Sequence, residues 1–90
     1  MKYRSRIDLI AVILICAAEE YGALMTHIMY SSFLSHGQLK KILPSLITDG
    51  LLEYDEKNRV YKTTGKGTQY LKLYKQMEQL IKIKNADWLI

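Results

Sequence analysis

The sequence predicts a mainly α-helical domain that also contains one small β-hairpin. Four stretches repeat apolar residues at the 3–4 spacing of an amphipathic helix. One further stretch, LLEYDEKNRVYKTT (51–64), has two β-rich runs on either side of a polar turn, which is typical of a hairpin. With 90 residues, 49% of them hydrophobic, the chain is long enough for one packed domain and too apolar for a disordered one.

The first helix is predicted over residues 6–20. Ser5 is a good N-cap, and Asp8 three residues later resembles the acid of a capping box. The helix should end near Gly22. Its inward positions are predicted to be Ile7, Ile10, Ala11, Leu14, Ala17 and Ala18. MKYRSR followed by LIAVILICAA looks superficially like a signal peptide, but the apolar run at 9–18 is interrupted on its N-terminal side by Asp8 and is too short to span a bilayer, so we interpret it as a core helix.

Two further helices are predicted before the hairpin. The second covers residues 24–30, and SSFLS (31–35) forms a turn. Ser35 then begins a third helix, and Gln38 completes an S-x-x-Q capping box. Asp49 and Gly50 end this helix, with Gly50 in the left-handed conformation. Its inward positions are predicted to be Leu39, Ile42, Leu43 and Leu46. Pro44 lies in its interior, where it removes a backbone hydrogen bond and is expected to bend the helix.

The hairpin and the last helix complete the domain. Asn58, in the polar turn DEKNR (55–59), is expected to adopt positive φ. Thr64 is a candidate cap for a helix over residues 65–84. Such a helix is roughly 30 Å long, about the width of a small domain, so part of it should project beyond the globule.

This order of elements is the plan of a winged helix-turn-helix, in which the third helix enters the DNA major groove and the hairpin, or wing, lies along the backbone. The net charge of +4 and the segregation of bases from acids agree with a polyanionic partner, although an ordinary solvated lysine-rich surface explains the charges alone equally well. The predicted DNA-binding residues are Arg4, Arg6, Ser35, His36, Gln38, Lys40, Lys41, Lys57, Arg59 and Lys62.

The residue patterns contain no sign of catalysis. His27 and His36 have no cysteine or acid at metal-ligand spacing, so neither a metal nor another cofactor is expected. TGKG (64–67) lacks the spacing of a phosphate-binding loop. Cys16, the only cysteine, lies in an apolar run and is expected to be a buried thiol in a reducing cytoplasm.

The last helix is predicted to form a homodimer, because its apolar stripe would otherwise be exposed. Residues 1–69 would then be the DNA-binding domain and residues 70–90 the dimerisation segment. The predicted interface residues are Tyr70, Leu73, Tyr74, Met77, Leu80, Ile81 and Trp88.

The chain resembles the small archaeal winged-helix DNA-binding proteins of the Sulfolobus type. The resemblance lies in YRSRIDLI (3–10), THIMY (26–30), LSHGQLKK (34–41), GLLEYD (50–55) and YKTTGKG (61–67). It implies duplex DNA binding by the third helix and wing, homodimers joined by an antiparallel coiled coil, and a role in the nucleoid or in transcription regulation. Two departures are Pro44 and a last helix predicted to be short, with about three turns after Tyr74.

Two other functions fit the same pattern. One is a winged-helix protein–protein interaction module whose basic face meets an acidic partner in a transcription or replication assembly. The other is a repressor that senses a small molecule in a pocket at the dimer interface, lined by Met25, Met29, Met77 and tyrosines.

Overall fold

The computed structural model describes the backbone of residues 5–89 and the side chains of residues 5–80. The helices and the hairpin follow in the predicted order. Their bounds are α1 Arg6–Ala17, α2 Met25–Ser32, α3 His36–Thr48, β1 Leu52–Asp55, β2 Val60–Thr63 and α4 Gly65–Leu89.

Helix α1 lies at the centre of the domain and packs against α2, α4 and β2. The Ser5 hydroxyl accepts the Asp8 N–H at 3.4 Å, which confirms the predicted N-cap. Its buried residues are Ile10, Ala11, Ile13, Leu14, Cys16 and Ala17. Two of the positions predicted to face inward, Ile7 and Ala18, are exposed instead.

Helix α1 ends at Ala17, three residues before the predicted end. The chain must turn early because Ala23 pairs with Tyr61 of the hairpin, through N–H to carbonyl bonds of 2.9 and 2.8 Å. Gly22 makes this turn with a φ of +79°, and a Cβ there would lie 2.8 Å from the Tyr61 carbonyl oxygen. Only glycine satisfies both conditions.

Helix α2 continues two residues beyond its predicted end, so part of the expected turn is helical. Ser32 makes this extension possible. Its fully buried hydroxyl donates to the Ile28 carbonyl at 2.7 Å and accepts the Leu34 N–H at 3.3 Å. Phe33, with a φ of 61°, then ends the helix and turns the chain toward α3.

Helix α3 agrees closely with its prediction. The capping box is complete, since the Ser35 hydroxyl accepts the Gln38 N–H at 3.1 Å and Gln38 Oε1 accepts the Ser35 N–H at 2.9 Å. The predicted inward residues Leu39, Ile42, Leu43 and Leu46 are all buried. Gly50 has the predicted left-handed conformation, with a φ of +80°.

The hairpin pairs β1 and β2 in antiparallel register, from Leu52 opposite Thr63 to Asp55 opposite Val60. The prediction for its turn was wrong in one respect. Arg59, with a φ of 56°, adopts the left-handed conformation that was expected at Asn58. The Asn58 side chain instead donates a 2.8 Å hydrogen bond to Asp55 Oδ2, which connects Asn58 within the turn to the last residue of β1.

Helix α4 begins as predicted, with the Thr64 hydroxyl accepting the Gly67 N–H at 3.1 Å. Gly67 lies so close to the residue before β1 that a Cβ there would collide with the Leu51 carbonyl oxygen. The helix ends at Leu89 rather than near residue 84, so the expectation of a short last helix was wrong. Its 25 residues extend about 37 Å, which accounts for the elongated 50 × 26 × 21 Å shape.

Candidate nucleic-acid interface

The outer face of α3 is basic and exposed. His36, Lys40, Lys41 and Pro44 are all exposed on it, opposite the buried leucines. The helix itself contains no acidic residue. Within the part of the chain that the structure describes, neither lysine forms an ion pair, so both ammonium groups remain able to meet an external anion.

The start of α3 is also favourable to anions. Free backbone N–H groups and the helix dipole give any helix N-terminus a partial positive charge. The side chains of Ser35 and Gln38, both predicted to contact DNA, are engaged with each other's backbone in the capping box. Their first role is therefore to hold the helix start in shape, and the Gln38 amide nitrogen keeps its donors for a second contact.

The wing is less basic than the sequence suggested. Lys57 and Arg59 are exposed at its turn, but Lys62 lies 3.6 Å from Asp55 in an ion pair. Residues 53–62 contain three acids and three bases, so this segment has no net charge. Helix α3, which packs against β1, contains no acid and is therefore the more uniformly basic of these two elements.

Asp55 organises the wing turn. Its carboxylate accepts the backbone N–H groups of Lys57 at 3.0 Å and Asn58 at 3.3 Å, as well as the Asn58 amide. The Asn58 side-chain bond is the largest cause of a pKa below the ordinary value of an aspartate. Sequence reasoning missed this role, although an Asp followed three residues later by Asn is a usable turn signal.

Arg6 contacts α3 directly. Its guanidinium donates a 3.3 Å hydrogen bond to the hydroxyl of Ser45, which donates in turn to the Ile42 carbonyl at 2.7 Å. Arg6 was predicted to bind DNA, and the structure places it beside the third helix. Ser45 had no signal in the sequence. Arg4, the other predicted residue of this segment, lies outside the described residues.

The predicted dimer residues fall into two groups. Tyr70 and Tyr74 are half-buried, and their hydroxyls donate hydrogen bonds to α1. Tyr70 donates to the Ile7 carbonyl at 2.9 Å, and Tyr74 donates to Asp8 Oδ1 at 2.7 Å.

A separate exposed row, which we call the α4 stripe, consists of Leu73, Met77 and Leu80. Their exposed fractions are 66%, 42% and 65%. The side chains of Ile81 and Trp88 lie outside the described residues.

Comparison with known proteins agrees with this architecture. A family model described as winged helix-turn-helix matches residues 3–82. The chain belongs to this family. The predicted fold class, a mainly helical winged helix-turn-helix with a C-terminal helix, is thereby confirmed. A search of the curated proteins found no match. Winged helix-turn-helix domains typically bind DNA and are not enzymes, so the family indicates a nucleic-acid partner.

No described group of three or more His, Cys, Asp or Glu side chains could hold a metal ion. Cys16 is buried, as predicted, and burial raises the pKa of its thiol.

Among the described helices, none is long and apolar enough to cross a membrane.

Proposed function

We propose that this winged helix-turn-helix protein binds duplex DNA as a homodimer and acts as a transcription regulator or a nucleoid-associated protein. The observation that carries the proposal is the outer face of α3, where exposed Lys40 and Lys41 stand on a helix without acids. In this fold the third helix enters the major groove. Lysines bind phosphate as point charges and read bases poorly, so affinity for the DNA backbone should exceed sequence discrimination.

The wing has a secondary part in the proposed complex. Lys57 and Arg59 stand exposed at the turn and are suited to a backbone or minor-groove contact. Lys62 is held by Asp55, so it would have to leave that ion pair to reach DNA. Arg6 supports α3 through Ser45 and has further donors available for a phosphate.

The proposed dimer forms through the α4 stripe. Three large apolar side chains follow one another at 4-3 spacing on a helix that projects from the domain, which is the pattern of a coiled-coil seam. Tyr70 and Tyr74 are tied to α1, so they would contribute less to the seam than the leucines. The narrower resemblance to small archaeal regulators and chromatin proteins supports the same arrangement.

Salt-dependent titration of a fluorescent duplex tests DNA binding. If about six phosphates are neutralised, the logarithm of the affinity should fall against the logarithm of salt with a slope near −5. The Lys40→Gln/Lys41→Gln variant should bind more weakly, and its slope should fall by about 1 for each lost contact. Lys72→Gln/Lys75→Gln, on α4, removes the same charge and is the matched control. Equal losses in both variants, or no duplex binding at low salt, would contradict the proposal, and the second result would favour a protein partner.

Sedimentation equilibrium tests the dimer. The mass should be that of two chains. Leu73→Glu/Leu80→Glu should give single chains, because it places carboxylates in the proposed seam. Both side chains are already exposed in one protomer, so the substitutions act on the seam and not on the core. Leu24→Glu is a suitable control because Leu24 is 52% exposed and lies outside α4. In Leu73→Glu/Leu80→Glu the two DNA-binding units would no longer be linked, so its DNA affinity should fall by about 100-fold or more. A single-chain mass for the unmodified protein would exclude this arrangement.

A further inference from the structure

A groove of about 460 Å³ lies between α1 and α4 and has no part in the DNA interface described above. Val12 and Ile15 of α1 line one side, and Leu71 and Tyr74 of α4 line the other. Ile15 is 55% exposed there. A concave, mostly apolar surface of this size with a few polar groups is typical of a small-molecule site.

The charges of the groove define the ligand that it suits. Lys72 and Lys75 are exposed lining residues, and neither has an ion-pair partner among the described residues. Glu78 is the only acid among the described lining residues. Apolar walls beside two unpaired ammonium groups are complementary to a small anion with an apolar body, such as an aromatic carboxylate or sulfonate.

The second copy in the proposed dimer does not need this groove. At 100° per residue, the α4 stripe is centred about 140° around the helix from the groove-lining positions Leu71, Tyr74, Lys75 and Glu78. Pairing of two α4 stripes therefore leaves the groove open. The groove is also not the pocket predicted at the dimer interface, because none of the three methionines of that pocket lines it. Met25 and Met29 pack against the core, and Met77 belongs to the α4 stripe.

A short series of contacts connects the groove with α3. Tyr74 lines the groove and donates to Asp8 in the first turn of α1. Two residues earlier, Arg6 bonds to Ser45 of α3. A ligand that displaces the Tyr74 ring would therefore also move the first turn of α1, from which Arg6 bonds to α3.

We propose that the α1–α4 groove is an effector site for a small apolar anion and that its occupancy changes DNA affinity. The second part rests on the proposed function, whereas the first part does not involve DNA. The two parts can therefore fail separately, and each has its own measurement.

Fluorescence titration with 8-anilinonaphthalene-1-sulfonate, which has an apolar body and one negative charge, tests the site itself. Ile15→Glu, which places a carboxylate in the groove, should weaken binding about tenfold or more, since a bound ligand would remove this charge from water without giving it a partner. Lys72→Gln/Lys75→Gln should weaken it about fivefold, as expected for two partly exposed ion pairs. Leu24→Ser, at a similarly exposed apolar residue outside the groove, should leave binding unchanged.

An uncharged analogue, N-phenyl-1-naphthylamine, separates the charge from the apolar contact. It should respond to Ile15→Glu but not to the double lysine substitution. If the sulfonate binds all variants equally, it binds elsewhere and the site is excluded. If the probe binds only to Leu73→Glu/Leu80→Glu and not to the unmodified dimer, a second copy covers the groove, which equally overturns the proposal.

Titration of the same duplex with and without saturating probe tests the coupling. We expect an affinity change of at least about fivefold, in the usual range for coupled sites. Tyr74→Phe should retain most of the probe affinity and reduce this change, because it keeps the ring and removes the bond to Asp8. An unchanged DNA affinity at probe saturation would overturn the coupling, whereas absence of DNA binding altogether would overturn only the proposed function.

Discussion

The Tyr74 hydroxyl of α4 donates a 2.7 Å hydrogen bond to Asp8 Oδ1 in the first turn of α1. One turn earlier, the Tyr70 hydroxyl donates to the Ile7 carbonyl at 2.9 Å. These bonds join residues that are more than 60 positions apart, and they hold the projecting helix against the centre of the domain. In the proposed dimer they would also hold each DNA-binding unit at a defined angle to the coiled coil.

Removal of the Tyr74 hydroxyl should destabilise the fold. Tyr74→Phe should lower the free energy of unfolding by about 1 kcal/mol, a modest value because the bond is only half-buried. Urea denaturation measures this change. Tyr30→Phe is the control, since Tyr30 is 82% exposed and has no hydrogen bond within the described residues. An equal effect of both variants would show that the bond to Asp8 contributes nothing.

The same bond makes stability depend on alkaline pH. Burial, and next the Asp8 carboxylate, raise the pKa of Tyr74 to about 12. A tyrosine in the unfolded chain ionises near pH 10. Because the folded pKa is the higher one, this contribution is complete below about pH 10 and is lost as pH rises toward about 12. The stability difference between the unmodified protein and Tyr74→Phe should therefore shrink across that interval, as urea midpoints at several pH values would show.

The wing turn should respond to acid. Hydrogen bonds from Asn58 are the main cause that lowers the pKa of Asp55, so the folded pKa lies below the unfolded one. The stabilisation is present above the unfolded value, near pH 4, and is lost as pH falls through the folded value. Asn58→Ala should bring the pKa of Asp55 back toward its ordinary value. Carboxyl carbon NMR titration of Asp55 in the unmodified protein and in Asn58→Ala measures this.

Arg59 allows stability and DNA contact to be separated. It has a φ of 56°, which costs an arginine more than an asparagine. Arg59→Asn should therefore leave the free energy of unfolding unchanged or slightly higher, whereas duplex affinity falls and the salt slope loses about 1. Arg59→Lys, which keeps the charge, should retain the slope. A retained slope in Arg59→Asn would show that the wing tip does not meet phosphate.

The sequence predicted well those features that depend on neighbouring residues. The α3 capping box and its four buried residues follow from contacts within about one turn of the helix, so local spacing is sufficient. The end of α1 could not be predicted in this way. It depends on the pairing of Ala23 with Tyr61, which local spacing does not encode.

The candidate site shows the same division between local and distant causes. Exposed Lys40 and Lys41 follow from the helical period of α3. The ion pair of Lys62, the bond from Arg6 to Ser45 and the attachment of Tyr70 to α1 do not, because each depends on the tertiary or cross-strand arrangement. A tyrosine at helical spacing is apolar enough for either a core or an interface, and only the packed fold decides between them.

Pro44 lies in the interior of α3 and is exposed on its outer face, and the helix continues through it to Thr48. Proline has no N–H to offer the Lys40 carbonyl, so Pro44→Ala should restore one backbone bond and raise the free energy of unfolding by about 1–3 kcal/mol. Thr48→Ala, at the exposed end of the same helix, is the control. If the proline sets the angle of the first turns, with Lys40 and Lys41, relative to the packed half around Leu46, then Pro44→Ala should also change duplex affinity or site preference. A gain in stability without any change in DNA binding would show that the fold merely tolerates the proline.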